Sequence, residues 1–174
     1  MVERDASSVF LDWLGRYGPA VVKVSRAYAV SEEERQDLAQ EILLQAWRSV
    51  ERFEGRSAAS TWFYRVALNT AMNWKRKDER RRLAQKPLFD VAVVEAEGEE
   101  ASERAERREV VERLYGAIQR LPKGDKALVL LYLEELSYRE MSEVLGISES
   151  HVGVKLNRAK KALRELMEVN RDGD

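Results

Sequence analysis

The chain has 174 residues, is 44% apolar and 35% charged, and carries a net charge of −1, so it holds one ordinary domain or two small ones with enough apolar material for a core. It has no cysteine and a single histidine, His151, which argues against disulfides, a metal cage and a histidine-dependent triad, and leaves neither an enzyme nor a cofactor expected. No apolar run approaches the roughly 20 residues that span a bilayer, and MVERDASSVF lacks the apolar stretch of a signal peptide, so a cytoplasmic protein without a membrane span is expected.

Helical spacing runs almost throughout, strand alternation is not found, and an all-α fold is predicted. Ser7–Ala29 places Val9, Phe10, Trp13, Leu14 and Tyr17 at helical intervals, with Gly18-Pro19 expected to kink or divide the segment. Ser31–Phe53 opens with a capping box, Ser31-x-x-Glu34. Its inner side is Leu38, Ile42, Leu43, Ala46, Trp47 and Val50. Its outer side is Glu33, Asp37, Gln40, Glu41, Leu44, Gln45 and Arg48, where Leu44 among polar neighbours hints at a partner surface.

A short loop, Phe53–Ser60, follows. Gly55 permits a turn, and Ser57 and Ser60 can bond locally or to a ligand. Thr61–Arg82 then reads as one uninterrupted helix with Ser60 as its N-cap. Trp62, Val66 and Thr70 share one side, with Phe63, Ala67, Ala71 and Trp74 beside them. Arg65, Asn69, Met72, Asn73 and Arg76 take another side, and the end is a burst of cations from Lys75 to Arg82. A helix with one packed side, amides midway and a cationic end suits a nucleic-acid backbone with a few bases in reach; it also suits a plain solvated basic helix end.

Leu83–Glu109 turns acidic and contains Pro87 and Gly98, the composition of a flexible tether that passes into helix near Ala101. The expected organisation is therefore a unit at 1–82, a linker at 83–109 and a unit at 110–174. In the second unit Asp125–Glu135 is nearly apolar all round and predicted to be buried. Ser137-x-x-Glu140 is a second capping box. Gly146-Ile147-Ser148 is a tight turn, and Glu149–Val169 carries Ser150, His151, Lys155, Arg158, Lys160, Lys161 and Arg164 on its outer side. Helix, Gly-led turn and basic second helix together predict a helix-turn-helix, whose second helix must protrude to enter a major groove.

In order and spacing these stretches resemble the sigma-70 family of bacterial sigma factors, in its small extracytoplasmic-function class. DLAQEILLQAW (Asp37–Trp47) looks like the region 2 helix that docks on core RNA polymerase. STWFYRVALNTAMNWKRK (Ser60–Lys77) resembles the helix that reads and melts the −10 element. LSYREMSEVLGISESHVGVKLNRAKKAL (Leu136–Leu163) resembles the region 4 helix-turn-helix that binds the −35 element. The resemblance implies that Asp37, Gln40, Glu41, Leu44 and Gln45 meet the clamp coiled coil of the largest polymerase subunit. Asn69, with Phe53, Arg56, Ser57 and Ser60 of the loop, would form a pocket for a flipped base; Arg65, Asn73, Lys75 and Arg76 would track the backbone. Ser150, His151, Lys155, Arg158 and Lys160 would contact the −35 duplex. The implied partners are core polymerase, including the flap of its second subunit, promoter DNA and an anti-sigma factor.

Gly153 and Val154 depart from the pattern, standing where polar or basic groove-facing residues are expected. Gly153 either admits close approach of DNA or marks reliance on duplex shape. The competing reading is a stand-alone helix-turn-helix regulator with a partner- or ligand-binding first unit, which has no need of a second nucleic-acid surface at Ser60–Arg82.

Overall fold

Where apolar side chains recur every three or four residues, the chain is helical, and local caps fix most of the ends. The computed structural model describes residues 5–74 and 101–169, and among them are seven helices and no strand. The first three are α1 (Ala6–Tyr28), α2 (Glu32–Val50) and α3 (Ala59–Asn73). The others are α4 (Ala101–Gln119), α5 (Lys123–Leu133), α6 (Tyr138–Leu145) and α7 (Glu149–Val169).

Helix α1 runs through Pro19 undivided, so of the expected kink or division the division does not occur. The ring costs the carbonyl of Gly15 its donor, but Gly15 and Pro19 are both on the exposed side, where water can serve instead. Trp13, Ala20 and Val21 on the other side are buried and hold both halves to the core. Helix α2 has the capping box the sequence predicts: the Glu34 N–H donates to Ser31 Oγ at 3.2 Å, and the Ser31 N–H donates to Glu34 Oε2 at 3.4 Å.

Helix α3 differs from expectation at both ends. Ala58, not Ser60, is the N-cap, and it offers no side-chain bond. The helix stops at Asn73 rather than running to Arg82, with Trp74 extended (φ −67°, ψ 122°) and its ring packed on the core. Two side chains bond back to main-chain oxygens near this end: Thr70 Oγ1 to Val66 O at 2.7 Å and Asn73 Nδ2 to Asn69 O at 2.8 Å. Such back-bonding weakens a helix ladder. Lys123 Nζ, from the second unit, donates to Met72 O at 2.9 Å and satisfies one of the last free carbonyls. The cations Lys75–Arg82 and the linker up to residue 100 lie outside the described residues.

The first core joins α1, α2 and α3 around Val21, Leu38, Ile42, Phe63 and Leu68, each at most 2% exposed. Trp13 sets its edge against Phe53 at 5.1 Å and Phe63 at 6.3 Å between ring centroids. In the second unit Ile118, Leu131, Met141, Val152 and Leu156 are buried among α4 to α7. Helix α5 is less enclosed than its composition predicts: Tyr132 and Leu133, in its last turn, are each 43% exposed. The two units also meet, α6 lying on α3 and α4 and α5 on α1.

Candidate nucleic-acid interface

The helix-turn-helix is built by local chemistry. Ser137 Oγ accepts from the Glu140 N–H at 3.2 Å, and Glu140 Oε2 accepts from the Ser137 N–H at 2.8 Å. These bonds, to the Ser137 main chain first and then its hydroxyl, hold the exposed Glu140 carboxyl below the usual carboxylate range. Gly146 ends α6 in the left-handed region (φ 68°), a conformation that costs a residue with a Cβ about 1 kcal/mol or more. Ile147 packs on the core, and Ser148 Oγ accepts from the His151 N–H at 3.2 Å to start α7.

This geometry turns Val152, Leu156 and Ala159 inward and leaves Ser150, His151, Lys155 and Arg158 exposed on the protruding side of α7. Lys160 stands apart from them on a flank, half-buried, with its Nζ 4.2 Å from the centroid of the Tyr132 ring. Lys161, which is exposed, continues the cationic row instead. Val154 is 60% exposed near the centre of the row. Gly153 is not a groove-facing position: a Cβ there would come within 3.3 Å of Tyr138 Cε2, so the glycine makes room for a ring of α6 rather than for DNA.

On α3, Asn69 and Asn73 are exposed and Arg65 half-exposed along one side. Asn73 is occupied by its bond to Asn69 O, which leaves the Asn69 amide as the exposed group at mid-helix. Arg65 Nη2 donates to the main-chain oxygen of Glu143 on α6. The preceding loop is pinned by Phe53, half-buried between Trp13 and Trp62. Trp62 itself is fixed to the scaffold, its Nε1 donating to Ser49 Oγ at 3.1 Å. Gly55 turns the tip with φ 70°, Arg56 at that tip is exposed and paired with Glu54, and Ser57 and Ser60 return half-buried toward α3. The structure thus brings Asn69, Asn73 and Arg65 onto one line; Lys75 and Arg76 lie outside the described residues.

Helix α2 offers a surface of different character. Asp37, Gln40, Glu41, Leu44 and Gln45 fall at three- and four-residue intervals on its outer side, and Gln45 Nε2 donates to Glu41 Oε1 at 2.8 Å. Leu44 is 41% exposed, and Trp47, which periodicity assigns to the core, is 42% exposed with its ring edge on Phe10 at 5.3 Å. Its place three residues after Leu44 was the available signal. Carboxylates beside exposed apolar groups would repel phosphate and suit a protein partner.

The family model for Sigma-70 region 2 matches residues 13–81, and that for Sigma-70, region 4 matches residues 111–163. The chain is 30% identical over 149 residues to the ECF RNA polymerase sigma factor SigX of Bacillus subtilis, covering 83% of this chain and 77% of that one. It is 35% identical over 147 residues to the RNA polymerase sigma-H factor of Pseudomonas aeruginosa, covering 78% and 74%. Two solved structures share the fold. One is CnrH in complex with the cytosolic domain of CnrY, with a TM-score of 0.62 at 21% identity, covering 94% of this chain and 92% of that one. The other is the sigma factor RpoE in complex with the anti-sigma factor NepR from Bartonella quintana, with a TM-score of 0.64 at 20% identity, covering 92% and 97%.

Proposed function

The chain belongs to the extracytoplasmic-function class of the sigma-70 family and directs transcription initiation, and on that premise we propose how its surfaces divide the work. Residues 1–82 dock on core polymerase and engage the −10 element, 83–109 join the units, the last nine of them as the start of α4, and 110–174 engage the −35 duplex. The observation that carries this is the contrast of two exposed faces. Helix α2 sets Leu44 and Trp47 among carboxylates, whereas α7 sets Lys155, Arg158 and Lys161 in a row whose protruding side has no acid between Glu149 and Glu165. The first face suits the clamp coiled coil of the largest polymerase subunit; the second suits phosphate.

Asn69 reads a base flipped from the non-template strand, with the Phe53–Ser60 loop closing around it. Arg65 and Asn73 hold the adjacent backbone, as Lys75 and Arg76 would. Ser150, His151, Lys155 and Arg158 meet the −35 duplex, with Lys160 at the margin. The flap of the second polymerase subunit holds the second unit. The factor contributes recognition and strand separation, and nucleotide chemistry stays with the polymerase in the cytoplasm. No helix among the described residues is long and apolar enough to cross a membrane. An anti-sigma factor is a fitting antagonist, since RpoE of the same fold is seen with the anti-sigma factor NepR.

The test is run-off transcription from a genomic promoter library with purified core polymerase. Discrete new start sites are expected only when the protein is added. If none arises while the second unit still binds duplex, the chain is acting as a lone regulator.

A further inference from the structure

The buried line of α7 fixes which of its residues stands furthest out. Successive residues step about 100° round a helix. Val152, Leu156 and Ala159 are fully buried, and Val154 falls almost diametrically opposite their mean direction. By the same spacing Ser150, Arg158 and Lys161 lie within about 40° of Val154, and His151 and Asn157 lie about 60° to either side. All five are exposed. The apex of the protruding face is therefore an isopropyl group, 60% exposed, set among cations, a hydroxyl and an amide. On one flank Gly153 carries no side chain and the Tyr138 ring lies beside it, so nothing at 153 competes with Val154 for the space in front of the helix.

Reach separates the tasks of these side chains. Lys155, Arg158 and Lys161 are long and end in charge, which suits the phosphates that wall a major groove. Val154 is short, cannot donate or accept a hydrogen bond, and points at the groove floor. That floor offers donors, acceptors and one apolar group, the C5-methyl of thymine. Against any other base edge the isopropyl would take water from a polar group and return no bond. Asn157, exposed and three residues further on, is also short. Its carboxamide matches the N6 donor and N7 acceptor of adenine. Three residues advance about 4.5 Å along a helix and base pairs stack about 3.4 Å apart, so the two side chains address neighbouring pairs.

We propose that Val154 and Asn157 read bases of the −35 duplex directly, Val154 seated on a thymine methyl and Asn157 spanning N6 and N7 of an adenine in a neighbouring pair. This rests on the assignment of α7 to that duplex made above, and it names the atoms that discriminate. Val154, a departure from the family pattern, becomes a determinant of sequence choice instead of a sign of reliance on duplex shape.

Holoenzyme assembled from core polymerase and the full chain is titrated onto a promoter recovered by run-off. Matched copies carry deoxyuridine at single −35 thymines, which removes only the methyl, or 7-deazaadenine at single adenines, which removes only the N7 acceptor. At one thymine, deoxyuridine should weaken wild-type binding about fourfold, the worth of one buried methyl, and should leave Val154→Ala nearly unaffected. At an adenine in a neighbouring pair, 7-deazaadenine should weaken wild-type binding about fivefold and leave Asn157→Ala nearly unaffected. The two cycles isolate the contacts, because a change of duplex shape acts alike on wild type and variant. Val154→Thr, similar in size and with one methyl kept, should give an intermediate response to deoxyuridine. Both positions are exposed, so the variants should keep the wild-type circular dichroism and melting temperature. A deoxyuridine effect of equal size in wild type and Val154→Ala at every thymine overturns the proposal. So does a 7-deazaadenine effect of equal size in wild type and Asn157→Ala at every adenine. Lys155→Ala with Arg158→Ala on the unmodified promoter separates the two questions. Weaker binding with a shallower salt slope, while neither cycle shows coupling, removes only the base reading; unchanged binding and slope remove the assignment of α7 beneath it.

Discussion

Asn69 is the side chain on which strand capture turns, and its neighbours explain why. One amide hydrogen of Asn73 goes to Asn69 O, and Arg65 donates to Glu143 O, which among the described residues leaves the Asn69 amide as the side chain there with no hydrogen bond drawn to it. Asn69→Ala should therefore slow promoter opening about tenfold to a hundredfold, the worth of one good base contact, with polymerase affinity and melting temperature unchanged. Permanganate reactivity of the melted thymines measures the first, and a pull-down the second. Gly153 makes a different case. Its neighbour at 3.3 Å is the edge of the Tyr138 ring, which is 43% exposed and can give by a few tenths of an ångström. Gly153→Ala should then raise stability by about 0.5–1 kcal/mol through helix propensity, read from a urea midpoint. The sequence showed that Gly153 was unusual but not why, because the ring it faces comes from the preceding helix. Trp47 was misassigned for a related reason: an aromatic at a near-core angle can lay one edge on Phe10 and leave the rest open.

At the scale of the helix, legibility depends on how local the cause is. Both capping boxes and the Gly146 turn could be read directly because each closes within four residues. The end of α3 could not, since Lys123 Nζ reaches Met72 O across 51 positions of sequence. Nor could the continuity of α1, which depends on packing either side of Pro19. The cap at α6 carries its own prediction. Ser137→Ala should cost about 1 kcal/mol at neutral pH. The Glu140 carboxyl is depressed in the folded state, so its contribution is present above the unfolded value and lost as pH falls through the folded one. Glu140→Gln should accordingly flatten the acid limb of the stability curve, although Glu140 is exposed and the change will be small. Urea titrations at neutral and acid pH check both. On α7, Lys155→Ala with Arg158→Ala should reduce the salt slope of duplex binding by nearly two, whereas Lys160→Ala, held over Tyr132, should change it less.

For the molecule as a whole, the all-α class was legible from periodicity, but the packing of α6 on α3 and of α4 and α5 on α1 was not. No spacing rule brings Lys23, Tyr64 and Glu134 together, because the contact joins three elements and two units. The α2 face is read at this scale as well, since its effect appears only in an assembly. Leu44→Ala with Trp47→Ala should cost the isolated fold about 1 kcal/mol or more through the Trp47–Phe10 contact, while affinity for core polymerase should fall at least tenfold, a loss typical of truncating an interface anchor. Surface-immobilised core polymerase gives the measurement, and an unaltered dissociation constant would move docking to another helix.

The bond from Arg65 ends on a peptide oxygen, and that choice of acceptor constrains heredity. Every amino acid at position 143 but proline supplies the same carbonyl in the same helical setting, so codon changes there leave the acceptor intact. A genetic screen for alleles that loosen the packing between these helices should consequently recover lesions at 23 and 134, where a side chain can be lost, and pass over 143 almost entirely.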